Sequence, residues 1–306
     1  MSSGKSATKR TEEKKWVTVF LEVALRAIRR VHLEYGIWGA GRQWITDADR
    51  APLINTGYGI ELADERAVCA AIVQELMTSP AAAGYWREDG DLEFRIFAPD
   101  REEEYKTPSE KGYTQKVDLY IEKYEPTEPC GKGKLKVRQP PSFIEAKRAQ
   151  RWTIDLGSWE KGEEAVKLEE RQTTKICADI KKLHRERENR WNRKGHRKDK
   201  IYTHVLVWGT YGEDPKNGKP LSFSDHPYTF FDEIKKELRN RDTTPGKDTV
   251  LIEKPSVRWL PTKWDWDPPP DGSSGRQCPI VLRWVWVALA EVGCLKCGLS
   301  NAQLSV

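Results

Sequence analysis

A chain of 306 residues, 38% hydrophobic and 32% charged with thirteen tryptophans, is too rich in core-forming residues to be fibrous or disordered, and long enough for one large domain or a domain with additions. Its net charge of +5 is only mildly basic, but the charge is uneven: residues 181–200 (KKLHRERENRWNRKGHRKDK) hold ten Lys or Arg against three acids, a local positive field that suits phosphate backbones. Glu22 and Arg26 interrupt the first apolar stretch, which argues against a signal peptide, and Trp284 to Ala290 is far shorter than the roughly 20 residues of a bilayer-spanning helix, so the expectation is a cytoplasmic protein without membrane contact.

In chain order, residues 1–12 are polar, after which Trp16, Val19, Phe20, Val23, Ala27 and Val31 recur at helical spacing and predict an amphipathic helix to about Leu33. Residues 36–59, rich in glycine and aromatics, read as an ordered connection. A second helix is expected from about Glu61 to Met77, with Leu62, Cys69, Ile72 and Leu76 as its apolar stripe and Glu65 within it. Alternation predicts strands over 92–98 (LEFRIFA) and 116–123 (KVDLYIEK), with a third over 142–147. Residues 124–141 read as an extended hairpin or loop.

Beyond the third strand, 162–188 reads as one long charged helix with Ile176, Ile180 and Leu183 inward, and 204–208 (HVLVW) as a central strand buried on both faces. A helix over 225–239, a loop over 264–275 and a strand over 279–290 complete a less legible C-terminal third. The order helix, three strands, helix, strand predicts a mixed sheet flanked by helices in an α/β layer architecture. The six cysteines lack the spacing of a disulfide framework, which fits a reducing compartment. Cys294 and Cys297 form a CxxC without a second pair of ligands, so ordinary buried thiols are a simpler reading than zinc.

One constellation carries chemistry. Phosphodiester hydrolysis needs a divalent ion, carboxylates to hold it and a cation near the nucleophile, and Asp118, Glu145 and Lys147 supply that set. Residues two apart on a strand share a face, so Glu145 and Lys147 project together while Ile144 and Ala146 face the opposite layer, and Asp118 projects from the neighbouring strand. The tripeptide alone is weak, because an acid two places before a lysine also occurs at Glu12, Glu13, Glu104, Asp179, Asp214 and Glu233. What separates Glu145 is its place inside an apolar strand, where a buried acid and lysine are costly unless paired or bound to metal.

Through KVDLYIEK at 116–123 and SFIEAKRA at 142–149, the chain resembles the PD-(D/E)xK nuclease superfamily, the restriction-endonuclease-like fold, over about half its length. The resemblance implies an αβββαβ core over residues 59–210. An N-terminal tail, helix and connection (1–58) would precede it, and a C-terminal elaboration (211–306) would pack on it. Asp118 and Glu145 would bind Mg²⁺, with Mn²⁺ able to substitute, and the carbonyl of Ala146 could add a ligand. Lys147 would orient or activate the attacking water. Val117 stands where the motif's name puts proline, a departure many members share.

Family members often carry a metal-reaching glutamate on the first core helix, and Glu65 matches that place best, with Glu61 and Glu75 as alternatives. Gln172 would approach the site from the following helix, with Lys175 near it, or be an ordinary helix-surface amide. Lys181, Lys182, Arg185, Arg190, Arg193 and Lys194 would contact phosphates, although such a run also describes a solvated helix end. The function implied is a Mg²⁺-dependent DNA endonuclease, a phosphodiester hydrolase of restriction or anti-phage defence, acting as a homodimer or with another defence protein as partner. The alternatives are a non-catalytic nucleic-acid-binding or scaffold protein of this fold, and an RNA nuclease.

Overall fold

The computed structural model describes residues 16–33, 60, 63–78, 97–100, 116–123, 141–154, 166–192, 201–212, 226–241, 250–262 and 283–294. Among them the chain forms an α/β structure whose centre is a seven-stranded mixed sheet with helices on both faces. The expected segments 36–59, 124–140 and 264–275 lie outside the described residues, as do 92–96, 162–165 and 279–282 of the expected helix and strands.

The helix over 16–33 (α1) buries Phe20, Leu21, Ala24, Ala27, Ile28 and Val31 on one stripe and leaves Glu22, Arg26 and Arg29 in solvent, the amphipathic division its spacing predicts. Beside it runs Glu65–Thr78 (α2), tied to α1 by Arg30, which donates to Gln74 at 3.1 Å and lies 3.9 Å from Glu75. This helix starts four residues later than Glu61 because Asp64 caps it. The Asp64 carboxylate accepts from Arg66 N at 2.7 Å, and its carbonyl accepts from Val68 N at 3.1 Å. Glu65 therefore occupies the first helical position, where a negative charge complements the helix dipole.

Strands Phe97–Asp100 (β1), Leu119–Lys123 (β2) and Ser142–Arg148 (β3) form an antiparallel meander. Strand β2 is shorter than the predicted 116–123, because the chain bends at Asp118. Val117 joins the core on one side of the sheet and Leu119 and Ile121 the core on the other. After β3 comes a correction to the long helix expected over 162–188. Gln150–Ile154 (β4) and Val166–Arg171 (β5) pair as a separate two-stranded sheet, with Trp152 opposite Leu168 and Ile154 opposite Val166. The alternation in VKLEER supports strand pairing, and a strand partner was the information the local sequence lacked.

Helix Thr173–Asn192 (α3) then starts from Gln172, whose carbonyl accepts from Ile176 N at 2.9 Å and whose N–H donates to the Ala149 carbonyl at 3.0 Å. That second bond pins the start of α3 to the end of β3. The helix runs back across the sheet, so its successive turns pass Lys147, Glu145 and finally Phe143. Tyr202–Gly212 (β6) pairs parallel with β3, Glu145 opposite Val205 and Lys147 opposite Val207. Residues 202–210 of β6 are all buried, as expected for a strand covered on both faces.

The C-terminal third extends the same sheet. Arg283–Cys294 (β9) pairs antiparallel with β6, and Val250–Ile252 (β7) and Ser256–Thr262 (β8) pair in succession along its other edge. Gly209 is required where β6 passes Trp286: an added Cβ would stand 2.7 Å from the indole ring. Helix Pro227–Arg241 (α4) packs beside α3, its Ile234 carbonyl accepting from the Cys177 thiol at 3.8 Å. Helices α1 and α2 thus cover one face of the sheet over Ile144, Ala146, Leu206 and Trp208. Helices α3 and α4 cover the other over Phe143, Val205, Val207 and Trp286. Among the described residues no helix is long and apolar enough to cross a membrane.

Candidate active site

Strand parity puts Glu145 and Lys147 on the α3 face, the side of Phe143 and Ala149, while Ile144 and Ala146 pack into the α1–α2 core. Glu145 is deep, at 2% exposure, because β3 is internal and α3 lies over it. Asp118 reaches the same spot from the bend before β2. Its Oδ2 accepts from Ala146 N at 2.9 Å and lies 3.6 Å from Lys147 Nζ. The bend ends the backbone pairing of β2 with β3 beyond Leu119, and the Asp118 carboxylate satisfies the next β3 amide in its place.

Glu65 enters over the end of β3. One oxygen accepts from Lys147 Nζ at 3.1 Å and the other from Arg148 N at 3.3 Å, so the first turn of α2 is fixed to both a side chain and the backbone of the motif strand. Two residues on α3 complete the cluster. Asp179 lies 3.8 Å from Lys147 Nζ, and Lys182 bridges Asp179 at 3.4 Å and Glu145 at 2.5 Å. The rim is formed by Asp118 and Glu65, with side chains 33% and 29% exposed.

The electrostatics follow from the stoichiometry. Among the described residues, Glu65, Asp118, Glu145 and Asp179 set four carboxyl groups against the two amines of Lys147 and Lys182. Burial pushes the Glu145 carboxyl up to about 8, reinforced by the charges of Asp118 and Asp179 and opposed by Lys182. Burial also raises Asp179, with Lys147 and Lys182 pulling against it. For Lys147, burial works downward but is outweighed by Asp118, Asp179 and Glu65, which hold the ammonium form above its ordinary range. The Lys182 amine is raised for the same reason, by Glu145 and Asp179. Burial is the largest cause for Glu145, and the neighbouring acids raise both its carboxyl and the Lys182 amine. Comparison with protein-family models, curated proteins and solved structures gives no match.

A divalent cation would find hard carboxylate oxygens here, one pair of them on the buried Glu145, in a cluster where carboxyl groups outnumber amines among the described residues. Among the described residues no three acid, imidazole or thiol groups converge as a ready-made ligand set. In this arrangement the lysine amines stand between the acids. Asp118 and Glu145 are the residues that would hold the ion, with Glu65 reaching the same motif strand.

The basic residues divide. Lys175 and Arg185 are exposed and Lys181 is half-buried on α3, whereas Arg193 and Lys194 lie outside the described residues. Lys182 belongs to the acidic cluster. Arg190 departs from a solvent-facing role: it is buried, its Nε donates to Glu186 at 2.5 Å, and its guanidinium stacks over the Phe143 ring at 4.7 Å. Arg187 is also buried, donating from Nη1 to Glu291 Oε1 and the Val292 carbonyl, each at 2.6 Å. The reason is periodicity: Ile176, Ile180, Leu183, Arg187 and Arg190 follow one helical stripe, and the stripe continues into the core after its residues become basic.

Gln172 is buried at the start of α3, and its Nε2 has no hydrogen-bond partner among the described residues. It is a cap and a strap to β3 more than a surface amide. Asp179 and Lys182 are members the metal motif does not include, and Lys182, expected to contact phosphates, pairs with Glu145 and Asp179 instead. Their signal was spacing: both flank the apolar stripe of α3 at positions that face β3.

Proposed function

We propose that the protein is a divalent-metal-dependent nuclease that hydrolyses DNA phosphodiester bonds, built on a restriction-endonuclease-like αβββαβ core. The observation that carries this reading is the cluster around Glu145: four carboxyl groups and two amines brought together from the bend before β2 and from β3, α2 and α3, with Asp118 and Glu65 at its exposed rim. Support also comes from the element order α2-β1-β2-β3-α3-β6, with β2 and β3 antiparallel and β3 and β6 parallel. The β4–β5 hairpin is then an insertion between the motif strand and its helix.

In this reading Asp118 and Glu145, with the carbonyl of Ala146, hold Mg²⁺ or Mn²⁺. The bound ion supplies Lewis-acid polarisation of the phosphate and a more acidic water. Lys147, kept charged by three surrounding acids, is a poor proton acceptor at neutral pH. Its work is to donate hydrogen bonds that orient the attacking water or a phosphate oxygen, and Glu65 fixes the direction of its amine. Exposed Lys175 and Arg185 offer phosphate contacts along α3, which give affinity without sequence preference. The choice of DNA over RNA, cleavage within duplexes, and a homodimeric or partnered role in restriction or anti-phage defence rest on the family resemblance alone.

A second reading, a nucleic-acid-binding or scaffold protein of this fold without turnover, draws on the Lys182–Glu145 ion pair, which satisfies the deepest acid without a metal. The experiment that separates these readings offers duplex DNA, single-stranded DNA and single-stranded RNA in parallel, with Mg²⁺ and with a chelator. Metal-dependent cutting of duplex DNA supports the proposal. Cutting of RNA alone replaces the substrate, and binding without cutting of any polymer supports the scaffold.

A further inference from the structure

The nuclease reading leaves Lys182 without a task, although it makes the shortest ion pair of the cluster. Its amine lies 2.5 Å from Glu145 Oε1 and 3.4 Å from Asp179 Oδ1. Mg²⁺ binds carboxylate oxygens at about 2.0–2.1 Å. An ion on the same Glu145 oxygen would therefore stand no more than about 4.6 Å from the Lys182 nitrogen, even with the two cations on opposite sides of that oxygen. A monovalent and a divalent cation at that separation, in a site where Glu145 is 2% exposed and solvent screening is weak, repel strongly.

We infer that Lys182 is a resident counterion that competes with the divalent cation for Glu145, so that metal binding displaces the amine from Glu145 toward Asp179. This rests on the metal-dependent reading of the site. The geometry makes the exchange a small movement. Asp179 is one helical turn before Lys182 and already within reach of its amine, so the displaced ammonium keeps one partner while leaving the other. Asp179 in turn lies 3.8 Å from Lys147, which ties the displaced amine to the residue that orients the nucleophile. A buried carboxylate left wholly uncompensated would destabilise the fold, and Lys182 offsets part of that cost until the ion arrives.

The test is calorimetric titration of Mn²⁺ into the wild type, Lys182→Met and Lys182→Arg at fixed pH and without nucleic acid. Removing the competing charge should tighten Mn²⁺ binding about tenfold or more in Lys182→Met, and Lys182→Arg should stay within about threefold of wild type. Equal or weaker binding by Lys182→Met, with the wild type binding normally, overturns the competition and leaves the nuclease reading standing. Absence of Mn²⁺ binding in all three proteins overturns the metal-dependent reading itself, and the competition with it. A second measurement needs no variant: acetylation of Lys182 by a water-soluble acylating reagent, followed by peptide mass spectrometry, should rise about fivefold when Mn²⁺ saturates the wild type. Unchanged acetylation with metal bound also overturns the displacement.

Discussion

Helix α3 buries charge in two places, and it closes the account in only one of them. Near its C-terminal end Arg187 meets Glu291 and Arg190 meets Glu186, one cation to one anion, with the Val292 carbonyl and the Phe143 and Tyr202 rings around the guanidinium groups. Two turns earlier Asp179 and Lys182 join a cluster in which, among the described residues, four carboxyl groups face two amines. A balanced buried pair holds elements together, here α3 to β9. A cluster richer in carboxyl groups than in amines attracts positive charge.

The sharpest way to break this comparison is at Glu145. Glu145→Ala should lower cleavage by roughly 10⁴-fold, or ~5.4 kcal/mol of transition-state stabilisation, with the fold intact by circular dichroism. Comparable cutting by the variant would make the unbalanced cluster as structural as the balanced one. Next in size is the balanced pair. Glu291→Ala leaves the Arg187 guanidinium buried without its carboxylate and should cost about 3 kcal/mol or more in urea denaturation, while specific activity of the folded protein stays within twofold. A large loss of specific activity without loss of stability would place Arg187 in the catalytic machinery.

How much of this was readable beforehand divides along the same line. Strand parity sufficed to pair Glu145 with Lys147 and to set Ile144 and Ala146 against the other layer, because that pattern is local. The facing of Asp118 required the bend between Val117 and Leu119, which no alternation reveals. Strand β5 was hidden because its pairing partner is β4, and its own residues fall inside the charged stretch 162–188 that reads as helix. The buried arginines were hidden by their charge: LHRERENR reads as solvated until the stripe from Ile176 is carried through Leu183 to Arg187 and Arg190. Asp179 was visible only as one of several chance acid-before-lysine spacings, and its role depends on α3 running back over β3, a tertiary fact.

A pH series sharpens the contrast further. The Glu145 carboxyl moves from an ordinary 4.5 to about 8, so between those values the folded protein binds a proton that the unfolded chain releases. Its stabilising contribution is complete below pH 4.5, declines as pH rises and is gone above about 8. Without metal, the melting temperature should fall across pH 5 to 8 by an amount on the order of 5 °C, and Glu145→Gln should flatten that slope. A slope unchanged in the variant would assign it to other groups. The smallest expected effect lies on the exposed face of α3: Lys175→Ala and Arg185→Ala should each weaken DNA binding about two- to threefold and reduce its salt dependence by about one counterion, read by fluorescence anisotropy at several salt concentrations.

The central claim is that Asp118 and Glu145 hold a divalent ion, and equilibrium dialysis with Mn²⁺ tests it without reference to any substrate. The account predicts about one ion per wild-type chain and loss of that site in the Asp118→Ala, Glu145→Ala double variant, whose melting curve shows it folded. The same stoichiometry and affinity in the folded double variant would contradict it.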